Sequence, residues 1–250
     1  LTVLPDPLID IRASIQMESA GLYAKLPELL TLEEKVLSNE QVLDLWRRAA
    51  MLLGDNEEGS GWWLGKTVMI AGAMKRYPQA KARLLEQGHA TERVEAWPAL
   101  YVILLDQHQQ FRAMRDRFFK WTHVPYTQAR SRLKQADEEM SQLWRLDGDG
   151  LTNPFLTFLP ATQRIRFLDA RLARDIAILR CIEAIRMYAA DHGGKLPKSL
   201  AEITAVPVPV DPLNEKAFHY ELTGGKAVLE GAIPPDGGPR DGLRYEITLR

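Results

Sequence analysis

One cysteine, Cys181, stands in 250 residues, so the chain can form no internal disulfide and no cysteine-based zinc site. Long apolar runs are missing as well. The best, Thr67 to Met74, has eight residues and contains Gly72, against the ~18 that a membrane-spanning helix needs. Nor does either sign of charge dominate: 32 Lys+Arg face 33 Asp+Glu, a net charge of -1, which argues against a surface that binds nucleic acid throughout. The histidines His89, His108, His123, His192 and His219 never fall four apart, so no helix carries a paired metal site. Phosphate-binding loops, dinucleotide fingerprints, nucleophile elbows and His-Glu-x-x-His are all missing. Neither a cofactor nor a metal is expected.

The remaining composition is that of a globular protein, 46% hydrophobic and 26% charged, long enough to bury a core in one large domain or two modest ones. The chain opens on Leu1 rather than Met, which leads us to expect processing upstream by loss of a signal peptide, loss of a lipoprotein anchor, or an expression boundary.

Helical signals run as far as Gly193. Thr31-Leu32-Glu33-Glu34 and Ser38-Asn39-Glu40-Gln41 both have capping-box form, and the second predicts a helix through Trp46 to Leu53. An acidic, glycine-rich loop follows from Gly54 to Gly61. Trp62 to Met74 reads as an apolar helix, and Pro78 predicts a fresh start that ends near Gly88. Pro98 opens a helix to Trp121, in which Leu100, Leu104, Phe111, Met114, Phe118 and Trp121 mark one buried face. Pro125 opens another to Leu146. Thr152-Asn153-Pro154 supplies a cap and a first-turn proline. A long helix, Gln163 to Ala190, ends at Gly193-Gly194 in the manner of a glycine C-cap.

Beyond Gly194 proline and glycine become frequent, and Val206 to Pro212 must be extended. Phe218 to Leu222, Thr223-Gly224-Gly225 and Lys226 to Glu230 read as a hairpin, and Leu243 to Leu249 alternates as a third strand. The expected fold is mainly α, a body of about seven to nine helices over residues 1–194, with a small antiparallel β appendage over residues 195–250 packed on the long helix.

Ala184-Ile185-Arg186-Met187-Tyr188, Gly193-Gly194-Lys195-Leu196-Pro197-Lys198-Ser199-Leu200, Asp211-Pro212-Leu213-Asn214 and Phe218-His219-Tyr220 resemble the C-terminal region of type II secretion pseudopilins. That family has a long helix, an LP-type turn, a DP loop and a short hairpin. A pseudopilin helix begins with an apolar, membrane-inserted half. Here Arg164, Arg166, Arg171 and Arg174 occupy that stretch, which points away from pilus assembly. Over nearly the whole chain, Tyr77 to Lys81, Asp116 to Trp121, Val124 to Arg130 and Leu196 to Tyr220 resemble a family of predicted-secreted proteins of planctomycete bacteria. That resemblance implies export to the periplasm or cell envelope and brings no catalytic residues with it.

Several residues are candidates for chemistry. Residues 112 to 134 hold Arg112, Arg115, Arg117, Lys120, Arg130, Arg132 and Lys134 against Asp116 alone, with Phe118, Phe119, Trp121 and Tyr126 interleaved. Such a pattern suits an anionic partner. The binding candidates are Arg115, Lys120, His123, Tyr126, Arg130, Arg132 and Lys134. The competing reading is a solvated face in which Arg112, Asp116 and Lys120 form an exposed ion ladder at four-residue spacing. Glu183 falls on the column Leu172, Ile176, Leu179, Glu183, Met187. If that column is buried, Glu183 must be paired with Arg180 or Arg186, or serve as a general acid with a raised pKa; if the helix is central, Leu179→Ala or Ile182→Ala should cost roughly 2–5 kcal/mol.

Trp62-Trp63 can be core or a sugar-stacking platform. Asp147-Gly148-Asp149-Gly150 reads as an acidic turn or a weak calcium site, since an EF-hand's sixth and twelfth positions would be Thr152 and Phe158. Cys181 reads as a small buried hydrophobe. The function these observations favour is an exported binding or scaffold protein of the cell envelope. It would contact another envelope protein or an anionic polymer, as a subunit of a larger complex. The alternatives are a cell-wall or polysaccharide hydrolase using a buried carboxylate, and a helical bundle that carries a cofactor between histidine and methionine side chains.

Overall fold

A computed structural model describes residues 11–52, 61–146, 153–159 and 162–248. The fold is mainly α with a small antiparallel sheet at its C-terminal end. Among the described residues the helices are α1 (Ile11–Lys25), α2 (Asn39–Leu52), α3 (Gly61–Glu86), α4 (Thr91–Ala96), α5 (Ala99–Trp121), α6 (Tyr126–Leu146) and α7 (Thr162–Asp191). The strands are β1 (His219–Thr223), β2 (Lys226–Gly231) and β3 (Leu243–Ile247), in the order β1-β2-β3. None of these helices is long and apolar enough to cross a membrane.

The chain divides into two compact units. Among the described residues, one comprises 11–52, 61–123, 132–146, 153–159 and 162; the other comprises 124–131 and 163–248. The long helix α7 therefore belongs with the sheet, and α6 contributes its first residues to one unit and the rest to the other.

In the helical unit the box at Ser38 forms as its spacing predicts. The Ser38 amide donates to Gln41 Oε1 at 2.9 Å and the Gln41 amide donates to Ser38 Oγ at 3.3 Å, satisfying two orphan donors of α2. The box at Thr31 opens no helix. Thr31 ends a 3₁₀ turn, Pro27–Thr31, and its carbonyl accepts from the Glu34 and Lys35 amides. Pro78 does not break α3 either. It lies on the exposed side, as does Met74, so water can solvate the Met74 carbonyl that proline deprives of its donor. Trp62 and Trp63 begin this helix, but their side chains lie outside the described residues, as do residues 53–60 and the Asp147–Gly150 loop.

The core of this unit is centred on α5, which packs along α3 and α2. Every residue from Leu100 to His108 is buried. The polar ones among them are satisfied: Asp106 takes two bonds from Arg83, at 2.7 and 2.6 Å, and Gln107 accepts from Trp46 Nε1 at 3.1 Å. Asn153 caps the turn Pro154–Phe158 through the Phe155 amide and donates to the Gln107 carbonyl.

In the other unit α7 ends as expected, with Gly193 at φ 63° and Gly194 at φ 81° and the Gly194 amide returning to the Ala189 carbonyl at 2.8 Å. The hairpin turns on Gly224 and Gly225, both at positive φ, the combination that a two-residue turn between twisted strands favours. Ala227, Leu229 and Ile247 face Ala177, Ile178, Cys181, Ala184 and Ile185 of α7.

Candidate functional site

The basic segment is divided by the fold. Tyr126 and Arg130, on the first turns of α6, both bind Asp236, Tyr126 at 3.1 Å and Arg130 through its Nε and Nη2. Tyr126 is buried, and desolvation together with the Asp236 charge raises its pKa above the usual phenol value. These two residues serve to hold the proline-rich crossing. Tyr126 is buried, and Arg130, 33% exposed, has its guanidinium already on Asp236.

Arg115 is also committed internally. It pairs with Asp116 at 2.7 Å and donates to the Tyr23 hydroxyl at 3.2 Å. That hydroxyl lies 3.2 Å from His108 Nε2, and with Arg115 donating to its oxygen, its proton is left to face the imidazole. The expected ladder does not form, because Asp116 goes to Arg115 and Arg112 goes to Glu33 at 3.2 Å. His108, buried among Tyr23, Phe111 and Phe155, has its pKa lowered to about 4, by desolvation first and then by the cationic Arg112 and Arg115.

His123 and Lys134 are exposed, and the His123 ring rests edge-on against Phe119 at 4.8 Å. Two of the candidates, Lys120 and Arg132, come together. They line a cleft of about 410 Å³ between α5 and α6, with Arg117, Trp121, Gln135 and Glu139. Arg117 ion-pairs with Glu139; Gln135 donates to Glu139 at 3.1 Å and accepts from Arg132 at 3.3 Å. The Lys120 ammonium lies 5.1 Å from the centre of the Trp121 ring. Sequence spacing could not single out this pair, because the two residues meet only across the α5–α6 turn.

Glu183 is not buried. Its side chain is 52% exposed and its partner is Arg186 at 2.9 Å, a surface pair at i,i+3. The column that carries it faces largely outward: Leu172 is 39% exposed, Leu179 45% and Met187 49%, with Ile176 half-buried, and Leu168, one turn before Leu172, is 48% exposed. The reason is the sheet. The sheet packs on the side of α7 that carries Ala177, Ile178, Cys181, Ala184 and Ile185, and Leu168, Leu172, Leu179 and Met187 are left exposed. A hydrolase built on Glu183 as a buried acid loses its premise.

The charges that α7 does bury are the pair Arg166–Asp169, 3.1 Å apart, and, most deeply, Arg174, which is 1% exposed. It pairs with Asp211, 2% exposed, at 2.8 Å. It also donates to the carbonyls of Asp241, at 2.6 Å, and Ala232. Gly231 makes room for it, since a Cβ there would lie 2.5 Å from Arg174 Nη2. Asp211 accepts in addition from the Leu213 amide at 2.9 Å. In the sequence Arg174 stands out chiefly as a departure from pseudopilins; a basic residue among Ala170, Ala177 and Ile178 is the signal of its burial.

Cys181 is fully buried, with its thiol toward the Pro209 carbonyl at 3.5 Å, and burial pushes its pKa up to about 11. This is an inert environment for a thiol. A half-buried carboxyl, Asp137 on α6, is held above the ordinary carboxylate range by burial, with Oδ1 lacking a donor. Among the described residues no group of three His, Cys, Asp or Glu side chains could hold a metal. Comparison with protein-family models, with curated proteins and with solved structures finds no match to this chain.

Proposed function

We propose that the chain is an exported binding or scaffold protein of the cell envelope that acts through protein–protein contact, with the outer face of α7 as its contact surface. The observation that carries this reading is the alignment of Leu168, Leu172, Leu179 and Met187, at helical spacings of four, seven and eight. Single exposed aliphatic residues are ordinary on a protein surface, whereas an aligned stripe is the kind of patch that a partner covers. Water in contact with that stripe is a free-energy cost that burial against an apolar partner face removes. Export rests on the resemblance carried by Asp116 to Trp121, Val124 to Arg130 and Leu196 to Tyr220.

The test is a pair of changes on the stripe, Leu172→Gln with Leu179→Gln. Neither side chain contributes to the core, so the melting temperature of the isolated chain should move by no more than about 2 °C. Recovery of a crosslinked partner from the host envelope fraction should be lost. Recovery that survives both changes, or a chain confined to the cytosolic fraction, overturns the reading.

A further inference from the structure

The cleft between α5 and α6 has no role in contact through α7, and its charge is unbalanced. Arg117, Lys120 and Arg132 line it against Glu139 alone. Glu139 is already engaged by Arg117 and Gln135. Among the described residues no carboxylate pairs with Lys120 or Arg132; their contacts are the Trp121 ring and the Gln135 carbonyl oxygen. We propose that this cleft is a binding site for a phosphate- or sulfate-type oxyanion, held between Lys120 and Arg132.

Three features argue for this class. Two uncompensated cations on the walls of one cleft match a doubly charged group, where a single carboxylate would leave one of them unbalanced. The Arg132 fork spends one N–H on Gln135 and retains others for an oxyanion oxygen, which planar guanidinium geometry suits. The Arg117–Glu139–Gln135 chain also lines the cleft and presents acceptor atoms, so a hydroxyl on the ligand would find a partner as well. Arg130, two residues before Arg132, is no part of the site because Asp236 neutralises it. The same chemistry can come from a small polyvalent anion or from one charged group on a polymer.

The experiment is calorimetric titration of the full chain at low salt with inorganic pyrophosphate and, separately, with dextran sulfate. Saturable binding of pyrophosphate identifies a small-anion site; binding of dextran sulfate alone identifies a group borne on a chain. In either case Lys120→Gln and Arg132→Gln should each weaken binding about ten-fold, the loss of one charge-assisted contact. Lys134→Gln removes the same charge from an exposed position outside the cleft and should leave binding within about two-fold. Thermal melting of all three should match the parent, since none of the three side chains is in an ion pair. Equal weakening by all three variants, or no saturable binding of either probe, overturns the proposal.

Discussion

Helices α5 and α7 are both long, and they spend their apolar residues in opposite ways. In α5 the residues from Leu100 to His108 are buried on every side, and the polar members of that run are neutralised in place by Arg83 and Trp46. In α7 the buried side carries Ala170, Ala177, Cys181, Ala184 and Ala189, together with Ile178 and Ile185, and the long aliphatic side chains point outward. A helix among helices needs bulk to fill the space between rods. A helix laid on a sheet buries only the side that meets the strands, and here that side mixes small residues with Ile178 and Ile185.

The strongest way to break the comparison is at Arg174, the most deeply buried charge of α7 among the described residues. Arg174→Ala leaves Asp211 buried without its counter-ion. Denaturant unfolding should show a loss of about 3–5 kcal/mol; a loss under about 1 kcal/mol would show that Asp211 finds water or another donor. A smaller effect belongs to the α5 side and depends on pH. Neutral His108 is favoured in the fold, with its pKa lowered to about 4 from the ordinary 6.5. The unfolded chain therefore takes up the proton first as pH falls. Stability present above pH 6.5 is lost on descending toward pH 4 and this contribution levels off below that, roughly 3 kcal/mol in all. Unfolding free energies at pH 7 and pH 4.5 for the parent and for His108→Gln should differ in this drop, and parallel curves would contradict it. The smallest effect is the most diagnostic of orientation. Leu179→Ala should cost no more than about 0.5 kcal/mol, against the 2–5 kcal/mol expected of a buried leucine.

Local chemistry is where the sequence was legible. The reciprocal cap at Ser38, the glycine stop after α7, the Gly224-Gly225 hairpin and the Asn153 cap all depend on neighbours within a few residues, and each appears where its pattern predicts. Mainly α with a three-stranded appendage followed from these. Orientation was not legible. Periodicity groups Leu172, Leu179, Glu183 and Met187 on one side of a helix, but it says nothing of which side meets the core, and here the sheet takes the other. The candidate site was legible only as a region. Of its basic residues, Arg115 and Arg130 were claimed by Tyr23 and Asp236, 92 and 106 positions away, distances over which spacing holds no information.

The set of Arg174 contacts also bears on how the chain is made. Its partners lie 37, 58 and 67 residues further along, at Asp211, Ala232 and Asp241. A ribosome releases α7 well before it releases any of them, so during synthesis the helix must wait with its guanidinium hydrated and its alanine side uncovered. The sheet unit can therefore close only once the crossing through Gly242 has emerged. Until then the aliphatic stripe and the uncovered inner side of α7 are exposed together, and it is in this interval that the nascent chain most needs protection from aggregation.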